Sequence, residues 1–520
     1  MMDSPLIAAT TPIAAELVEG ETYTWCRCGR SQNQPWCDGS HQGTDITPLT
    51  FVAEESGERF LCRCKQTDDA PFCDGSHQSV DPKDADRDAA IRSGDSAGSG
   101  RTPEAVPTAE EPTVAAIHAL ARATPQSLGE HGEVVAMGVP RSELPLWSDL
   151  QLLVAQLARP PLPDGSPVAT RTVIGPGAAR PLVLDIPIFV TDMSYGALSP
   201  ETKEALARGA QRAGTGICSG EGGMLPQEQA ANSRYLFEIG PGRFGWNATN
   251  AGMVQAVHVK AGQAAKTGVG GHLPAAKVTA QIAEVRGLTP GVDVVGPPVA
   301  PALASVDQLR ELAAEVRELS GGVPFGIKLS ANHLEADLAF ALEAGVDYVI
   351  VDGRGGGTGG SPALIRDNIS IPTIPAIARA RRFLDRAGAT SVTLVATGGI
   401  RMPADMVKAL ALGADAVALG NSSIQAAGCI GARICNTNNC PSGIATQDPA
   451  LRARLDVEQA AARVERFYRN ATSLMCVLAR ACGYDDLAKF NPSDLTSWKR
   501  DMADLAGVNW AGAGSEPSAR

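Results

Sequence analysis

Apolar and polar positions change rhythm along the chain. From about residue 113, short continuous apolar runs alternate with stretches of helical pattern. The runs occupy residues 186–191, 216–219, 257–260, 325–329, 348–351, 392–396 and 416–419. Unbroken runs of this length are the pattern of parallel strands covered on both faces. Helix signals lie between many of them. Ser199 offers a capping hydroxyl, Pro200 suits the first turn, and Glu201 sits near the positive helix end. The stretch 403–412 stops at Gly413, a residue suited to a left-handed cap. Strands and helices alternating over roughly 270 residues predict an α/β fold, a (β/α)8 TIM barrel before an open sheet. Leu146, Trp147, Leu150, Leu152, Leu153 and Leu157 stand at mixed helical spacing and predict a helical N-terminal flank. A helical C-terminal flank is expected from 448 to 482, stopping at Gly483, with a tail over 483–520.

The first 112 residues carry neither rhythm. After a tail over 1–19, residues 20–78 contain an internal repeat with an offset of 36. Cys26-Arg27-Cys28 returns as Cys62-Arg63-Cys64. Pro35-Trp36-Cys37-Asp38-Gly39-Ser40-His41 returns as Pro71-Phe72-Cys73-Asp74-Gly75-Ser76-His77. A unit this small cannot bury enough apolar surface to hold itself, and the repeated side chains are potential metal ligands. Residues 79–112, rich in Asp, Ser, Gly, Pro and Ala and free of aromatics, read as a flexible linker. The barrel domain then covers 113–482.

Composition narrows the chemistry. The chain has 520 residues and a formal charge of −12, so nothing points to nucleic acid or an anionic membrane. No apolar run of about 18 residues occurs, and the first twenty residues do not read as a secretory signal. A cytoplasmic protein is expected, where thiols stay reduced. Twelve cysteines then suggest metal or catalysis before disulfides. Each repeat offers Cys-x-Cys-x8-Cys-x3-His, a spacing open to structural zinc or to an iron–sulfur cluster. Cys429-x5-Cys435-x4-Cys440 brings three thiols without a nearby fourth, which suits a three-iron cluster better than a four-thiolate site. Cys218, Cys476 and Cys482 read as core thiols. Thr397-Gly398-Gly399 and Leu419-Gly420-Asn421 each follow an apolar run, so backbone N–H groups there can approach a phosphate. Gly355-x-Gly357-x-x-Gly360 matches a dinucleotide fingerprint, but Ser361-Pro362 follows and the barrel rhythm continues.

The two repeats resemble the CDGSH iron–sulfur family at every ligand position. That resemblance implies two 2Fe–2S clusters, one on Cys26, Cys28, Cys37 and His41, the other on Cys62, Cys64, Cys73 and His77. Residues 113–482 resemble the FMN-binding synthase domain of glutamate synthase. The likeness rests on Met193-Ser194-Tyr195-Gly196-Ala197-Leu198-Ser199, on Ser219-Gly220-Glu221-Gly222-Gly223 and on Gly355-Gly356-Gly357-Thr358-Gly359. It extends to the Gly399 and Gly420 turns and to the cysteine loop at 428–441. It implies FMN at the C-terminal mouth of a (β/α)8 barrel, held by Ser194, Gly356, Gly357, Thr358, Gly398, Gly399, Gly420 and Asn421, with Lys328 at the flavin N1–O2 edge. It also implies a 3Fe–4S cluster on Cys429, Cys435 and Cys440. Lys260, Gln263, Lys266, His272 and Arg286 map to the 2-oxo acid site, and Glu221 and Lys266 to catalytic roles.

The resemblance implies reduction of an imine, formed from 2-oxoglutarate and ammonia or an amine, with electrons passed through iron–sulfur clusters to FMN. A ferredoxin or a reductase would donate those electrons. Two departures matter. The family's Lys-Pro-Gly-Glu-Gly-Gly-Gln becomes Lys266-Thr267-Gly268-Val269-Gly270-Gly271-His272, and the repeats stand where a glutaminase domain is expected. Nitrogen would come from free ammonia, an amine or a separate glutaminase subunit. Two other readings stand beside this one: an N-alkylglutamate synthase-like enzyme with another amine or keto acid, and an electron-transfer or redox-sensing flavoprotein without synthase activity.

Overall fold

The computed structural model describes residues 4–92, 106–128 and 131–512. The chain divides into two compact units, Met1–Ala123 and Thr124–Arg520.

In the first unit the two repeats exchange strands. Ile13–Leu17 pairs antiparallel with Gly57–Leu61, and Thr22–Trp25 pairs antiparallel with Leu49–Val52. Each Cys-x-Cys pair follows directly from a strand that ends in a large buried residue, Trp25 or Leu61. Ile7, Trp25, Cys62 and Cys64 form the small shared core. The stretch expected to be a structureless linker begins otherwise, because Pro82–Arg92 is an α-helix. Its composition is polar, yet one residue anchors it: the buried Asp88 carboxylate accepts a 2.8 Å hydrogen bond from the Ile7 amide. Residues 93–105 of that stretch lie outside the described residues. Val114–Arg122 is a second helix.

The second unit is built on a closed barrel of eight parallel strands. They are β1 Ile188–Val190, β2 Ile217–Cys218, β3 Tyr235–Ile239, β4 Ala256–Lys260, β5 Phe325–Ser330, β6 Tyr348–Asp352, β7 Thr393–Thr397 and β8 Ala416–Leu419. Each pairs with its sequence neighbour, and β8 closes on β1. The sequence rhythm predicts seven of them. It misses β3, where Glu238 breaks the apolar run, although that carboxylate lies inside the barrel.

Side chains fill the interior. Phe189, Cys218, Leu236, Ala256, Tyr348, Ile350, Val395, Ala416 and Ala418 form one cluster with Ile174, Leu182 and Leu184. The last three belong to an antiparallel hairpin, Thr172–Ile174 with Leu182–Leu184, which packs into the barrel interior. The Tyr348 ring needs Gly326 on the neighbouring strand, since a Cβ there would lie 2.7 Å from it. Outside, Pro200–Arg212 starts at Ser199, whose hydroxyl accepts from the Thr202 amide, and Pro403–Ala411 ends just before Gly413. The long helix Val457–Ala481 packs on Pro200–Arg212 at Gly209, where a Cβ would meet Val464 at 2.6 Å.

The lead-in and the tail differ from expectation, while the C-terminal flank is helical as expected, in Pro449–Arg452 and Val457–Ala481. The lead-in holds only a 3-10 turn, Trp147–Asp149, and then the strand Gln151–Leu152. Leu150 is buried while Leu153 and Leu157 are exposed, so the leucines do not share one helical face. The strand pairs with Leu495–Ser497. The segment after Gly483 is therefore no tail: it adds that strand and the helix Arg500–Ala506. Residues 513–520 lie outside the described residues.

Candidate active site at the barrel mouth

The C-terminal ends of the strands open on a cavity of about 350 Å³. Its floor is a buried charged layer. Asp192 follows β1, Glu238 lies on β3, His258 on β4 and Lys328 on β5. Lys328 Nζ lies 2.7 Å from Asp192 Oδ2, and His258 Nε2 lies 3.0 Å from Asp192 Oδ1 and 3.5 Å from Glu238 Oε2. His258 Nδ1 is 3.0 Å from the Tyr348 hydroxyl. Burial pushes the imidazole down, but Asp192 and Glu238 outweigh it and hold His258 at about 9. Burial likewise opposes the charges of Asp192 and Lys328, yet their mutual attraction keeps Asp192 well below the usual carboxylate range and Lys328 above the usual ammonium range. Two cations face two carboxylates, and burial pushes the neighbouring Asp352 carboxyl up, toward its neutral form, so the layer is close to balanced.

Above it the balance is lost. Lys260, at the end of β4, pairs with Glu221 at 3.0 Å and donates to Gln263 Oε1 at 3.1 Å. Gln263 Nε2 donates to the Gly357 carbonyl at 2.8 Å, which ties the loop after β4 to the loop after β6. Burial pushes Glu221 up, but Lys260, Lys266 and Arg286 hold it at about 2. Lys266 and Arg286 make no ion pair among the described residues. Burial pushes both down, and Glu221 opposes it. Arg286 donates to the Tyr195 carbonyl at 2.6 Å, while its buried Nε has no partner. Three cations thus face one carboxylate. The His272 backbone pairs with Val295 in a short strand, and its side chain lies outside the described residues. Beside this upper layer the wall is apolar, formed by Pro241, Phe244, Val269, Leu273 and Val294.

The glycine turns form another wall of the same cavity. Ser194, Gly356, Gly357, Thr358, Gly398, Gly399, Gly420 and Asn421 all line it. Close backbone approach requires glycine here: a Cβ at Gly356 would meet Asp352 Oδ1 at 2.4 Å, and one at Gly398 the Gly353 carbonyl at 2.4 Å. Arg401 follows directly. Burial and the nearby Arg141 guanidinium both push it down, so two cations lean together at the glycine turns. That end suits an anion, while Lys328 supplies a cation at the floor. Close-approaching glycine turns, with cations beside them and at the floor, fit a flavin nucleotide such as FMN.

The three-cysteine loop reaches the cavity too, since Cys429, Cys435 and Cys440 all line it. Burial, then Cys429 and Cys440, push the Cys435 thiol up to about 11. Burial also acts on Cys440, but donors from Ser442, Ile444 and Ala445 outweigh it and favour the thiolate. Mutual repulsion and thiolate-directed donors suit a metal cluster. Sequence reasoning overlooks Lys277 here. It is 3% exposed and donates to the Cys435 carbonyl at 2.8 Å and the Ala445 carbonyl at 3.3 Å. It overlooks Lys203 as well, which donates to the Ser219 carbonyl at 2.9 Å and pairs with Glu228 at 2.7 Å, positioning the turn that carries Glu221. Neither stands out in the sequence, because a lysine in a helix or loop reads as solvated.

In the first unit the repeated ligands pair by geometry. Cys26 and Cys28 Sγ are 3.8 Å apart, and Cys62 and Cys64 Sγ 3.5 Å. Cys37 Sγ lies 3.3 Å from His41 Nδ1, and Cys73 Sγ 3.2 Å from His77 Nδ1. Two sulfurs bound tetrahedrally to one metal atom would stand ~3.7 Å apart, so each pair can share an atom and the donor sets fit iron–sulfur clusters. Asp38 and Asp74 brace the loops alike, each accepting from the Ser two residues on and from an amide six residues back.

Comparison with known proteins agrees with both units. Residues 166–485 match the conserved region in glutamate synthase, and residues 6–42 match the iron-binding zinc finger of CDGSH type. The archaeal-type glutamate synthase (NADPH) of Thermotoga neapolitana is 39% identical over 305 residues, 58% of this chain and 59% of that protein. The chain thus spans less than two thirds of that relative. A glutamate synthase large subunit-like protein of Rhizobium meliloti is 35% identical over 398 residues, 72% of this chain and 90% of its own length. Among solved structures, the human mitochondrial inner NEET protein is 50% identical across 14% of this chain and 83% of its own, with a TM-score of 0.14. Among the described residues, no helix is long and apolar enough to cross a membrane.

Proposed function

The chain belongs to the glutamate synthase family and carries a CDGSH-type iron-binding module, and from that premise we propose that it reduces the imine of a 2-oxo dicarboxylic acid to an amino acid. The carrying observation is the uncompensated charge of the upper layer, Lys260, Lys266 and Arg286 against Glu221. Its surplus of two positive charges matches a dicarboxylate such as 2-oxoglutarate.

Lys260 is neutralised within the protein by Glu221, so Lys266 and Arg286 bind the carboxylates. Arg286, anchored through Nη2 on the Tyr195 carbonyl, offers its remaining guanidinium charge at the cavity wall to one of them. Gln263, fixed between Lys260 and the Gly357 carbonyl, sets the width of the site. Ammonia or an amine condenses with the keto group and water leaves; the C=N bond then gains a hydride at carbon and a proton at nitrogen. When bound, FMN supplies the hydride and the iron centres supply its electrons from an external donor such as ferredoxin. Glu221 and Lys260, 3.0 Å apart, hold and move the proton on the nitrogen side. Ser194, Lys328, the glycine turns and Asn421 would hold FMN. Cys429, Cys435 and Cys440 would hold the 3Fe–4S cluster, and the two repeats one 2Fe–2S cluster each.

The apolar wall of Phe244, Val269 and Leu273 favours a second reading, in which the amine carries a small apolar substituent. An anaerobic assay with reduced ferredoxin, 2-oxoglutarate, and either ammonia or methylamine tests both. Amino acid product in either arm supports imine reduction, and the better amine selects the reading. Flavin reoxidised in neither arm refutes both.

A further inference from the structure

The two repeats are alike at their ligands but not at the residue after the second cysteine. The offset of 36 sets Gly29 against Lys65. Both take a left-handed backbone, φ +75 and +61, which a residue with a Cβ adopts at a cost. Only one of the two positions can carry a side chain. A Cβ at Gly29 would lie 1.8 Å from the Leu6 carbonyl oxygen.

Lys65 does not reach solvent. It is 7% exposed, its Nζ donates to the Cys62 carbonyl at 3.1 Å, and it lies over the Trp25 ring at 4.3 Å from the centroid. It has no carboxylate ion pair among the described residues. Burial disfavours its charge, so this cation needs negative charge close by: it directly follows Cys64, its ammonium bonds the Cys62 carbonyl, and the ring it covers directly precedes Cys26. Those cysteines come from both repeats. Trp25 makes the same connection through bonds: it precedes Cys26 in the chain, and its indole N–H donates to the Cys62 carbonyl at 2.9 Å.

We infer that Lys65, seated on Trp25, is a shared counter-charge that tunes both iron–sulfur centres of the repeat module together, making them an electrostatically linked pair. This rests on the proposal that each repeat holds a cluster. A positive charge near both centres favours an added electron on either one. Losing it makes both reductions harder, whereas a lysine serving only its own repeat would affect one.

The test uses the full chain, purified anaerobically and titrated by visible absorbance and EPR. Iron analysis and EPR of the unsubstituted chain first count the His-ligated clusters; a single cluster would refute the two-cluster reading, and the inference with it. With two present, Lys65→Met is expected to move both midpoint potentials to more negative values, and Lys65→Arg to leave both near their original positions. Movement of one potential alone, or of neither, overturns the shared role. Should Lys65→Met fail to load iron, Lys65→Gln carries the same expectation and the same refutation.

Discussion

At the scale of single residues the site divides by charge. Lys266 and Arg286 carry the surplus, so Lys266→Ala and Arg286→Ala should each lower kcat/KM for the 2-oxo diacid about 10- to 150-fold, the value of about 1.5–3 kcal/mol for a hydrogen bond to a charged group. Steady-state kinetics with a saturating amine reads this, and an unchanged KM would refute the assignment. His258 keeps its proton to higher pH than a surface imidazole does. Its folded value of about 9 stands above the ordinary 6.5, so its stabilising contribution is complete below about pH 6.5 and is lost as pH rises through 9. The melting temperature should therefore fall between pH 7 and pH 9.5, and His258→Gln should lower it at pH 7 while flattening that fall. Residues whose chemistry is tied to a glycine turn or a cysteine spacing were legible in the sequence. Asp192, Glu238 and His258 were not, because one carboxylate or imidazole in an apolar strand gives no sign of the partner it meets across the barrel.

At the scale of elements, continuous apolar runs marked seven strands. β3 was lost for the reason that makes it useful: it turns Glu238 inward, and the same carboxylate breaks the pattern. The leucines from 146 to 157 misled in the other direction, since the C-terminal strand Leu495–Ser497 that orders them lies far off in sequence. The hairpin ending at Leu184 fills the barrel interior with side chains no loop could replace. Leu184→Ala, at a fully buried position, should cost about 2–5 kcal/mol, measured by urea unfolding. The segment after β4, which carries Gln263 and Lys266, reaches the cysteine loop through Lys277. On the proposal that the three cysteines hold a cluster, Lys277→Met should make its potential more negative, while Lys277→Arg largely retains it. A potential unmoved by either change would leave Lys277 a purely structural contact.

At the scale of the whole molecule, a module rich in cysteine and a barrel rich in glycine read as separate units in the sequence and fold as separate units. The repeat announced itself by spacing, but the way its copies pair did not, because register and partner choice between short strands are set by packing that no motif records. The strand before the first copy pairs with the one leading into the second, so each copy completes the other. Deleting one copy would strip its twin of a backbone partner and leave a bare strand edge, which only a second chain could then cover.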